Sequence, residues 1–419
     1  QRFRDLHTQR NKEFFQTALA NGYQPLQHVK EGVLDQPLDH FNRQNINTFR
    51  QRFLVNEEYW QRPEGPVFLF VGGEGPICKF DLLTGHHVDM AKEHGALLLA
   101  VEHRFYGDSI NPDGLETENL AYLSSQQALA DLAVFHQYIS ESFNLSCRNT
   151  WISFGGSYSG SLSAWFRGKF PNLVYGAVAS SAPVKAKLDF FEYSNLMQSL
   201  ADIMMGTVQY NEEGVLMSIK ELCSVMTDKR EENEGEMEIY RSTSNEPCLD
   251  ISHEKTVKDL LDTSHRHRRR SERQWIYQTC TEFGFYQTCE DTTCPFSGML
   301  TLQAQTKLCA EVFGISQHSL PARIAFTNSY YGGDHPQTTR VLYVNGGVDP
   351  WKELSVVQDS TDEAQTVFIK NTAHCADMSS QRLKDPHSLR KARQEIENHV
   401  ALWLKTAALE QMKKSKPCL

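Results

Sequence analysis

The amino-acid sequence predicts an α/β fold in which helices cover both faces of a doubly wound, mostly parallel sheet. Three observations lead to this prediction. Short, continuously apolar runs recur along the chain, they alternate with longer segments of helical character, and a glycine-rich turn joins one apolar run directly to a helix. Strands that are apolar at nearly every position are typical of parallel sheets that are buried on both faces.

The apolar runs and the segments between them give the predicted elements. Strands are expected at residues 48–55, 67–71, 96–101, 151–154, 177–179 and 341–344. Helices are expected at about residues 124–143 and 159–170, and Pro171 ends the second of them. The order strand, helix, strand favours right-handed crossovers and a doubly wound sheet.

A segment without strand signals interrupts this pattern at residues 185–273. It is amphipathic and rich in methionine, with predicted helices at 190–205 and 215–226 and an acidic stretch at 231–238. We therefore expect an α/β domain formed by residues 1–184 and 274–419, into which 185–273 is inserted as a helical cap. The cap is expected over the carboxyl edge of the sheet, where ligands of open α/β sheets bind, and packing to one side of the domain is the alternative.

Charge and hydropathy exclude two kinds of partner. The 419 residues carry a formal net charge of −10, whereas phosphate recognition requires concentrated positive charge, so we expect no nucleic acid. The longest apolar runs are far shorter than the roughly 20 residues that a bilayer requires, so we expect no membrane span. The basic run at 265–270 is either a solvated loop or a site of maturation cleavage.

Ten cysteines and one glycosylation sequon favour an oxidising compartment. Buried thiols or zinc ligands are the alternatives to disulfides, but the closely spaced pair Cys289 and Cys294 lacks the histidine-rich partner of a zinc site. We therefore expect neither a metal nor another cofactor. Asn144 begins the sequon Asn-Leu-Ser and is the expected glycosylation site.

A candidate nucleophile lies in the glycine-rich turn Gly155-Gly156-Ser157-Tyr158-Ser159-Gly160. A sharp turn from strand to helix strains the serine backbone and requires small neighbours. It aims the hydroxyl upward at the end of the sheet. The usual pattern has glycine two residues after the serine, where this chain has Ser159, which is also small. A glycine-rich structural turn is the alternative, but the position between strand and helix favours a nucleophile elbow at Ser157.

An acid and a base follow in the order that this mechanism requires. A serine hydroxyl needs a base that is oriented by a third group. Asp349 follows the predicted strand at 341–344, and His374 follows the apolar run at 366–369. Alone, each would be explained as a turn or loop residue, but the order Ser, Asp, His is that of α/β hydrolases. The sequence thus predicts an α/β-hydrolase fold with Ser157, Asp349 and His374 as its catalytic triad.

The oxyanion hole is expected to use two backbone N–H groups, those of Tyr158 and Gly73. Gly73 lies in a glycine-rich loop after the strand at 67–71, where the backbone can approach a substrate carbonyl, and a plain turn is the alternative. The next strand is followed by Glu102-His103-Arg104, which we interpret as a buried, mutually paired structural network, not as catalytic residues.

Five segments resemble a known family of serine peptidases, which includes lysosomal prolylcarboxypeptidase and dipeptidyl peptidase II. The resemblance covers most of the chain, and its most specific carriers are residues 72–75, 102–107, 155–158, 275–282 and 345–351. It implies an α/β hydrolase with a helical cap that cuts peptides near a terminus, often after proline, in endosomal or lysosomal vesicles. The alternative is that the protein is secreted from the cell through the same secretory pathway.

The resemblance also implies roles for three further residues. Trp351 matches the family's tryptophan beside the proline pocket, where an aromatic wall suits a pyrrolidine ring, and a core tryptophan is the alternative. Cys280 and Cys309 match a family disulfide. Peptides are therefore the expected substrates, while the choice between amino- and carboxy-terminal trimming and the formation of a homodimer are left open.

Two other functions compete with a peptidase. A carboxylesterase or lipase shares the elbow and the order of the triad, but it would be expected to carry a His-Gly-Gly-Gly loop where this chain has Gly72-Gly73-Glu74-Gly75. A hydrolase fold that serves as a non-catalytic binding module is the other alternative, because fold does not fix function. The complete set of triad residues argues against it.

Overall fold

The structure is a computed structural model that describes residues 25–111, 113–194, 220, 224, 252–263, 271–290, 300–358 and 364–413. Within them, the strands are β1 Val29–Pro37, β2 Thr48–Asn56, β3 Val67–Val71, β4 Leu97–Val101, β5 Trp151–Gly156, β6 Gly176–Ser180, β7 Lys187–Asp189, β8 Gly284–Tyr286, β9 Val341–Gly346 and β10 Ala364–Ile369. The helices are α1 His86–His94, α2 Thr117–Leu120, α3 Ser125–Ser142, α4 Tyr158–Lys169, α5 Phe191–Ser194, α6 His253–Leu261, α7 Glu272–Gln278, α8 Leu302–Phe313, α9 Leu320–Tyr331 and α10 His387–Lys413.

Eight of the described strands form one sheet in the order β1-β2-β4-β3-β5-β6-β9-β10. Strand β2 pairs with β1 and with β4 in antiparallel fashion. From β4 to β10, every neighbouring pair is parallel. Strands β7 and β8 form a separate two-stranded sheet. Because their pairing is parallel, β3, β5, β6, β9 and β10 all have their carboxyl ends at the same edge of the sheet.

The core lies on both faces of the sheet, because successive strand residues point to opposite sides. On one face Leu69 of β3 belongs to a buried cluster with residues of α3 and α4, such as Phe135 and Phe166. On the other face, Phe68 belongs to a cluster with residues of α1 and α10, such as Val88 and Val400. Helices therefore cover both faces, as expected for a parallel sheet.

The elements predicted for the α/β domain are confirmed. Every predicted strand coincides with β2, β3, β4, β5, β6 or β9, and the two predicted helices correspond to α3 and α4. Strand β1 and the 27-residue helix α10 were not predicted. The chain has the α/β-hydrolase fold: helices on both faces of a mostly parallel sheet, with a glycine-rich strand-to-helix turn after β5.

The structure describes only parts of the segment predicted to form a cap. Strand β7 and helices α5 and α6 lie within it. Most residues of the predicted helices at 190–205 and 215–226 lie outside the described residues, as do the acidic stretch at 231–238 and the basic run at 265–270. The division into a domain and an inserted cap stays a prediction.

A third buried cluster contains the Cys280–Cys309 disulfide, which joins the turn after α7 to α8. The turn is a π-helical stretch, Thr279–Phe283, and the two Cα atoms are 5.6 Å apart. Cys147 and Cys289 are also disulfide-bonded, whereas Cys78 and Cys375 are free thiols. Among the described helices, none is long and apolar enough to cross a membrane.

Candidate active site

Ser157 lies at the turn between β5 and α4 in a strained backbone conformation. Its φ of 58° and ψ of −132° are rare for a residue with a side chain. The turn also requires its glycines, because a Cβ on Gly155 would lie 2.2 Å from the carbonyl oxygen of Ser159, and one on Gly156 would lie 2.2 Å from Sδ of Met378. This is the geometry of a nucleophile elbow.

Asp349 and His374 form a buried pair at the same edge of the sheet. Asp349 lies in the turn after β9, and His374 lies in the loop after β10, the neighbouring strand. Nδ1 of His374 lies 2.8 Å from Oδ2 of Asp349, while Oδ1 accepts a hydrogen bond of 3.0 Å from the backbone N–H of Trp351. Because both oxygens of the carboxylate have partners, Asp349 is fixed against rotation, and it fixes the ring of His374 in turn.

The electrostatics of this pair favour a charged imidazole. Burial of His374 lowers its pKa, the Asp349 carboxylate raises it, and the net pKa of His374 lies well above its usual value. A site built this way stabilises the imidazolium that forms when a histidine accepts a proton from serine.

Gly73 and the start of α4 converge where an oxyanion hole is expected. A Cβ on Gly73 would lie 3.1 Å from Cβ of Ser159 and 3.3 Å from its backbone nitrogen. The first N–H groups of a helix lack intrahelical partners and carry the positive end of the helix dipole. The loop after β3 therefore reaches the first turn of α4, which begins at Tyr158.

The phenol of Tyr158 is anchored by a buried polar network. It hydrogen-bonds Nε2 of His103 at 3.0 Å and accepts from Nε2 of Gln278 at 3.0 Å. Gln278 also donates to Glu282 at 3.3 Å, and Glu282 accepts from both the hydroxyl and the backbone N–H of Ser125. Burial raises the pKa of Glu282 to about 7. Tyr158, which follows the elbow serine, is thus hydrogen-bonded to α7 directly and to α3 through Gln278 and Glu282.

The sequence did not predict the part of this network that involves Gln278, Glu282 and Ser125. Gln278 and Glu282 lie in the family-like segment 275–282, so a signal was present, but it did not reveal their partners. Hydrogen bonds between Tyr158 and Gln278, and between Ser125 and Glu282, join residues that are 120 and 157 positions apart. Only the folded chain brings them together.

The prediction that Glu102, His103 and Arg104 belong to a buried structural network is confirmed. Both oxygens of Asp131 accept from the Arg104 guanidinium, at 2.6 and 2.7 Å. Burial opposes the charge of Asp131, but Arg104 outweighs it and lowers its pKa. Glu102 accepts from the hydroxyl of Ser109 at 2.7 Å and is completely buried. The predicted mutual pairing within this segment is wrong, because Arg104 pairs with Asp131 and Glu102 pairs with Arg52.

Trp351 lies in an aromatic group beside the histidine. Its ring centroid is 6.3 Å from that of His374, 5.5 Å from Phe190 and 5.4 Å from Phe285. Phe285 has a φ of 64°, which is uncommon for a bulky residue and indicates a position fixed by its surroundings. The aromatic surface next to His374 is therefore built from Phe190, which lies inside the predicted cap segment, and from Phe285 and Trp351, which follow it.

The remaining predicted site residue, Asn144, lies between α3 and β5 and therefore precedes β5, whereas the active-site residues follow the carboxyl ends of their strands. It follows α3, is exposed and has a φ of 51°. Its exposure leaves the side-chain amide accessible.

An elbow serine together with a buried Asp–His pair, both at the carboxyl edge of a mostly parallel sheet, defines the class of α/β hydrolases. Comparison with known proteins narrows the class. The sequence profile of the family described as serine carboxypeptidase S28 matches residues 36–201 and 194–396. This chain belongs to that family and is a serine-type peptidase, which confirms the resemblance seen in its motifs.

Curated relatives are consistent with this assignment. Thymus-specific serine protease of Homo sapiens is 37% identical over 92% of this chain and 88% of the relative. Lysosomal Pro-X carboxypeptidase of Homo sapiens is 27% identical over 93% of this chain and 90% of the relative. A peroxisomal α/β-hydrolase, Lpx1, of Saccharomyces cerevisiae matches with a TM-score of 0.44 and 10% identity, covering 89% of this chain and 88% of that one.

Proposed function

We propose that this peptidase hydrolyses short peptides or the ends of longer chains, using Ser157 as nucleophile, His374 as general base and Asp349 as the acid that orients it. The observation that supports this most strongly is the buried 2.8 Å contact between His374 and Asp349, at the edge where the elbow serine lies. Because Nδ1 of His374 is engaged by Asp349, Nε2 is the nitrogen available to take the serine proton.

The proposed reaction has two balanced halves. The hydroxyl oxygen of Ser157 attacks the peptide carbonyl carbon while its proton passes to His374, and the N–H groups of Tyr158 and Gly73 stabilise the resulting oxyanion. The C–N bond then breaks, and His374 returns the proton to the departing amine. In the second half, water gives a proton to His374 and attacks the acyl-enzyme ester; the ester C–O bond then breaks, His374 returns the proton to Oγ of Ser157, and the product acid is released.

Substrate preference follows from the aromatic group beside His374. Trp351 offers a flat apolar wall, so we propose that the residue on the acyl side of the cut bond is small and apolar, with proline favoured. The Pro-X carboxypeptidases named among the relatives support this preference. A helical cap formed by residues 185–273 would further limit access to short peptides or chain ends.

We also propose that the protein acts in endosomal or lysosomal vesicles, or is secreted. Four described cysteines are disulfide-bonded, which fits an oxidising compartment. Asn144 is exposed and begins a sequon, so we propose that it is glycosylated. The relatives named as lysosomal carboxypeptidases support the same route.

Labelling with a fluorophosphonate probe tests the proposed nucleophile. The wild-type protein is expected to be labelled, and Ser157→Ala is expected to lose labelling completely. Ser163→Ala is the matched control, because Ser163 is also a buried serine of this region and its hydroxyl donates to Ser153 inside the core. Labelling that persists in Ser157→Ala would refute the assignment.

Incubation with a mixed peptide library at pH 5 and pH 7, with the cut positions read by mass spectrometry, tests the substrate. Cuts one or two residues from a terminus, enriched after proline, are expected. Efficient cutting at internal sites of long chains would refute the restriction to chain ends. Hydrolysis of esters without hydrolysis of any peptide would instead favour the carboxylesterase alternative.

A further inference from the structure

We propose that Ser180, the last residue of β6, is a positioning residue that sets the distance between the nucleophile elbow and the loop that carries the catalytic histidine. Ser180 is completely buried and bonds to both. The inference rests on the proposed roles of Ser157 and His374, because positioning them matters only if they react with one another.

The backbone of Ser180 bonds the elbow. Its carbonyl oxygen accepts a hydrogen bond of 2.9 Å from the backbone N–H of Ser157. In the parallel pairing of β5 with β6, Ser180 is the partner of Gly156, the residue before the nucleophile. The elbow therefore sits directly against the end of β6, and its position follows that of Ser180.

The side chain of Ser180 bonds the histidine loop. Its hydroxyl donates to Oδ1 of Asp377 at 2.5 Å, and Asp377 lies three residues after His374. Asp377 is almost completely buried. A hydroxyl that donates to a buried carboxyl group makes a short, strong hydrogen bond, so this contact is worth more than an ordinary one. Ser180 thus joins Ser157 through its carbonyl and the histidine loop through its hydroxyl.

Two neighbouring residues, Ser181 and Arg393, also bond the histidine loop. The hydroxyl of Ser181 accepts from the backbone N–H of Cys375 at 2.9 Å, which attaches the residue after His374 to the same turn. On the opposite side, Arg393 of α10 donates to the carbonyl oxygens of Ala376 and Asp377, at 2.9 and 3.1 Å. The loop is therefore held between the end of β6 and helix α10.

Packing alone does not fix this arrangement. A small cavity beside the Ser180–Asp377 bond is lined by His86, Phe154 and Met378 as well as by the two bonded residues. Side chains next to unfilled space can shift more easily than those in a close-packed core. The Ser180–Asp377 hydrogen bond therefore acts together with the contacts of Ser181 and Arg393 in holding the histidine loop at its distance from the elbow.

The test compares Ser180→Ala with Ser163→Ala. Each removes a buried hydroxyl and one side-chain hydrogen bond, but only the first bond leads to the histidine loop. For Ser180→Ala we expect kcat and the rate of fluorophosphonate labelling to fall roughly 10- to 100-fold, because a small misplacement of reacting groups has effects of that size. KM should change by less than about 3-fold, since substrate contacts are untouched.

The variant Asp377→Asn gives a second, independent measurement. It alters the other end of the same bond, so the double variant Ser180→Ala/Asp377→Asn should be no slower than the slower single variant. Losses that multiply, or a Ser180→Ala enzyme as fast as Ser163→Ala, would overturn the inference while leaving the triad intact. If the probe does not label the wild-type protein, or if it still labels the Ser157→Ala variant, the proposed function is overturned and this inference with it.

Discussion

His374 and Asp349 meet through a single 2.8 Å contact in which both partners are almost completely buried. In this environment the attraction between an imidazolium and a carboxylate is screened far less than at a surface. Burial lowers the pKa of His374 and the Asp349 carboxylate raises it, with a net pKa well above the usual value. The pair therefore governs both the orientation of the base and the pH at which it is neutral.

Asp349→Asn is expected to lower kcat by about 10⁴-fold, because the amide can no longer stabilise the imidazolium. Loss of the carboxylate should also lower the pKa of His374, so the acidic limb of the pH–rate profile should move to lower pH. The measurement is kcat/KM as a function of pH. Asp334→Asn is the control, since Asp334 pairs with Lys185 in a partly exposed position. An acidic limb that stays in place would mean that another group sets it.

Glu282→Gln is expected to remove part of the pH dependence of stability. Burial raises the pKa of Glu282 from 4.5 to about 7 in the folded protein. Because the folded protein binds this proton more tightly, the stability from Glu282 is present below pH about 4.5 and is lost as the pH rises to about 7. The difference corresponds to about 3 kcal/mol of unfolding free energy.

Urea unfolding at pH 4.5, 6 and 7.5 measures this effect. The wild-type protein should lose more stability across the series than Glu282→Gln. Glu141→Gln, which changes an exposed glutamate of α3, should follow the wild type. Parallel curves for the wild type and Glu282→Gln would show that the Glu282 carboxyl group does not titrate differently in the folded and unfolded chains.

Trp351→Ala is expected to lower kcat/KM for prolyl peptides by roughly 10- to 100-fold, the value of a buried aromatic contact. The backbone N–H that bonds Asp349 is retained in this variant. Labelling by a small fluorophosphonate, which does not need the pocket, should therefore change by less than about 3-fold. Equal losses in both assays would show that Trp351 supports the triad and not the substrate.

Replacing both Cys280 and Cys309 by alanine is expected to lower the free energy of unfolding by about 3 to 4 kcal/mol, because their bond closes a loop of 29 residues. Cys78→Ala removes a free thiol and is the control. Peptide mapping without reduction should recover the Cys280–Cys309 pair. Recovery of either cysteine free or with another partner would contradict the structure.

The sequence predicted the central strands because they are buried on both faces and therefore apolar at nearly every position. Strand β1 escaped prediction because it is an edge strand whose residues, including Lys30 and Glu31, are largely exposed. In the same way, Asp349 and His374 were predictable from their order after strands. Ser180 was not, because one serine at the end of a strand resembles any other until the fold places Asp377 beside it.

The position of helix α10 late in the chain determines when, during synthesis, the proposed site can be completed. Arg393 holds the histidine loop, and Arg393 and His374 both lie more than 200 residues after Ser157 in the chain. Since synthesis runs from the amino terminus, the proposed nucleophile leaves the ribosome well before the proposed base and before the helix that holds its loop. The site proposed above is complete only after β10 and α10 have docked, so no hydrolysis by Ser157 is expected from a chain that has not folded this far.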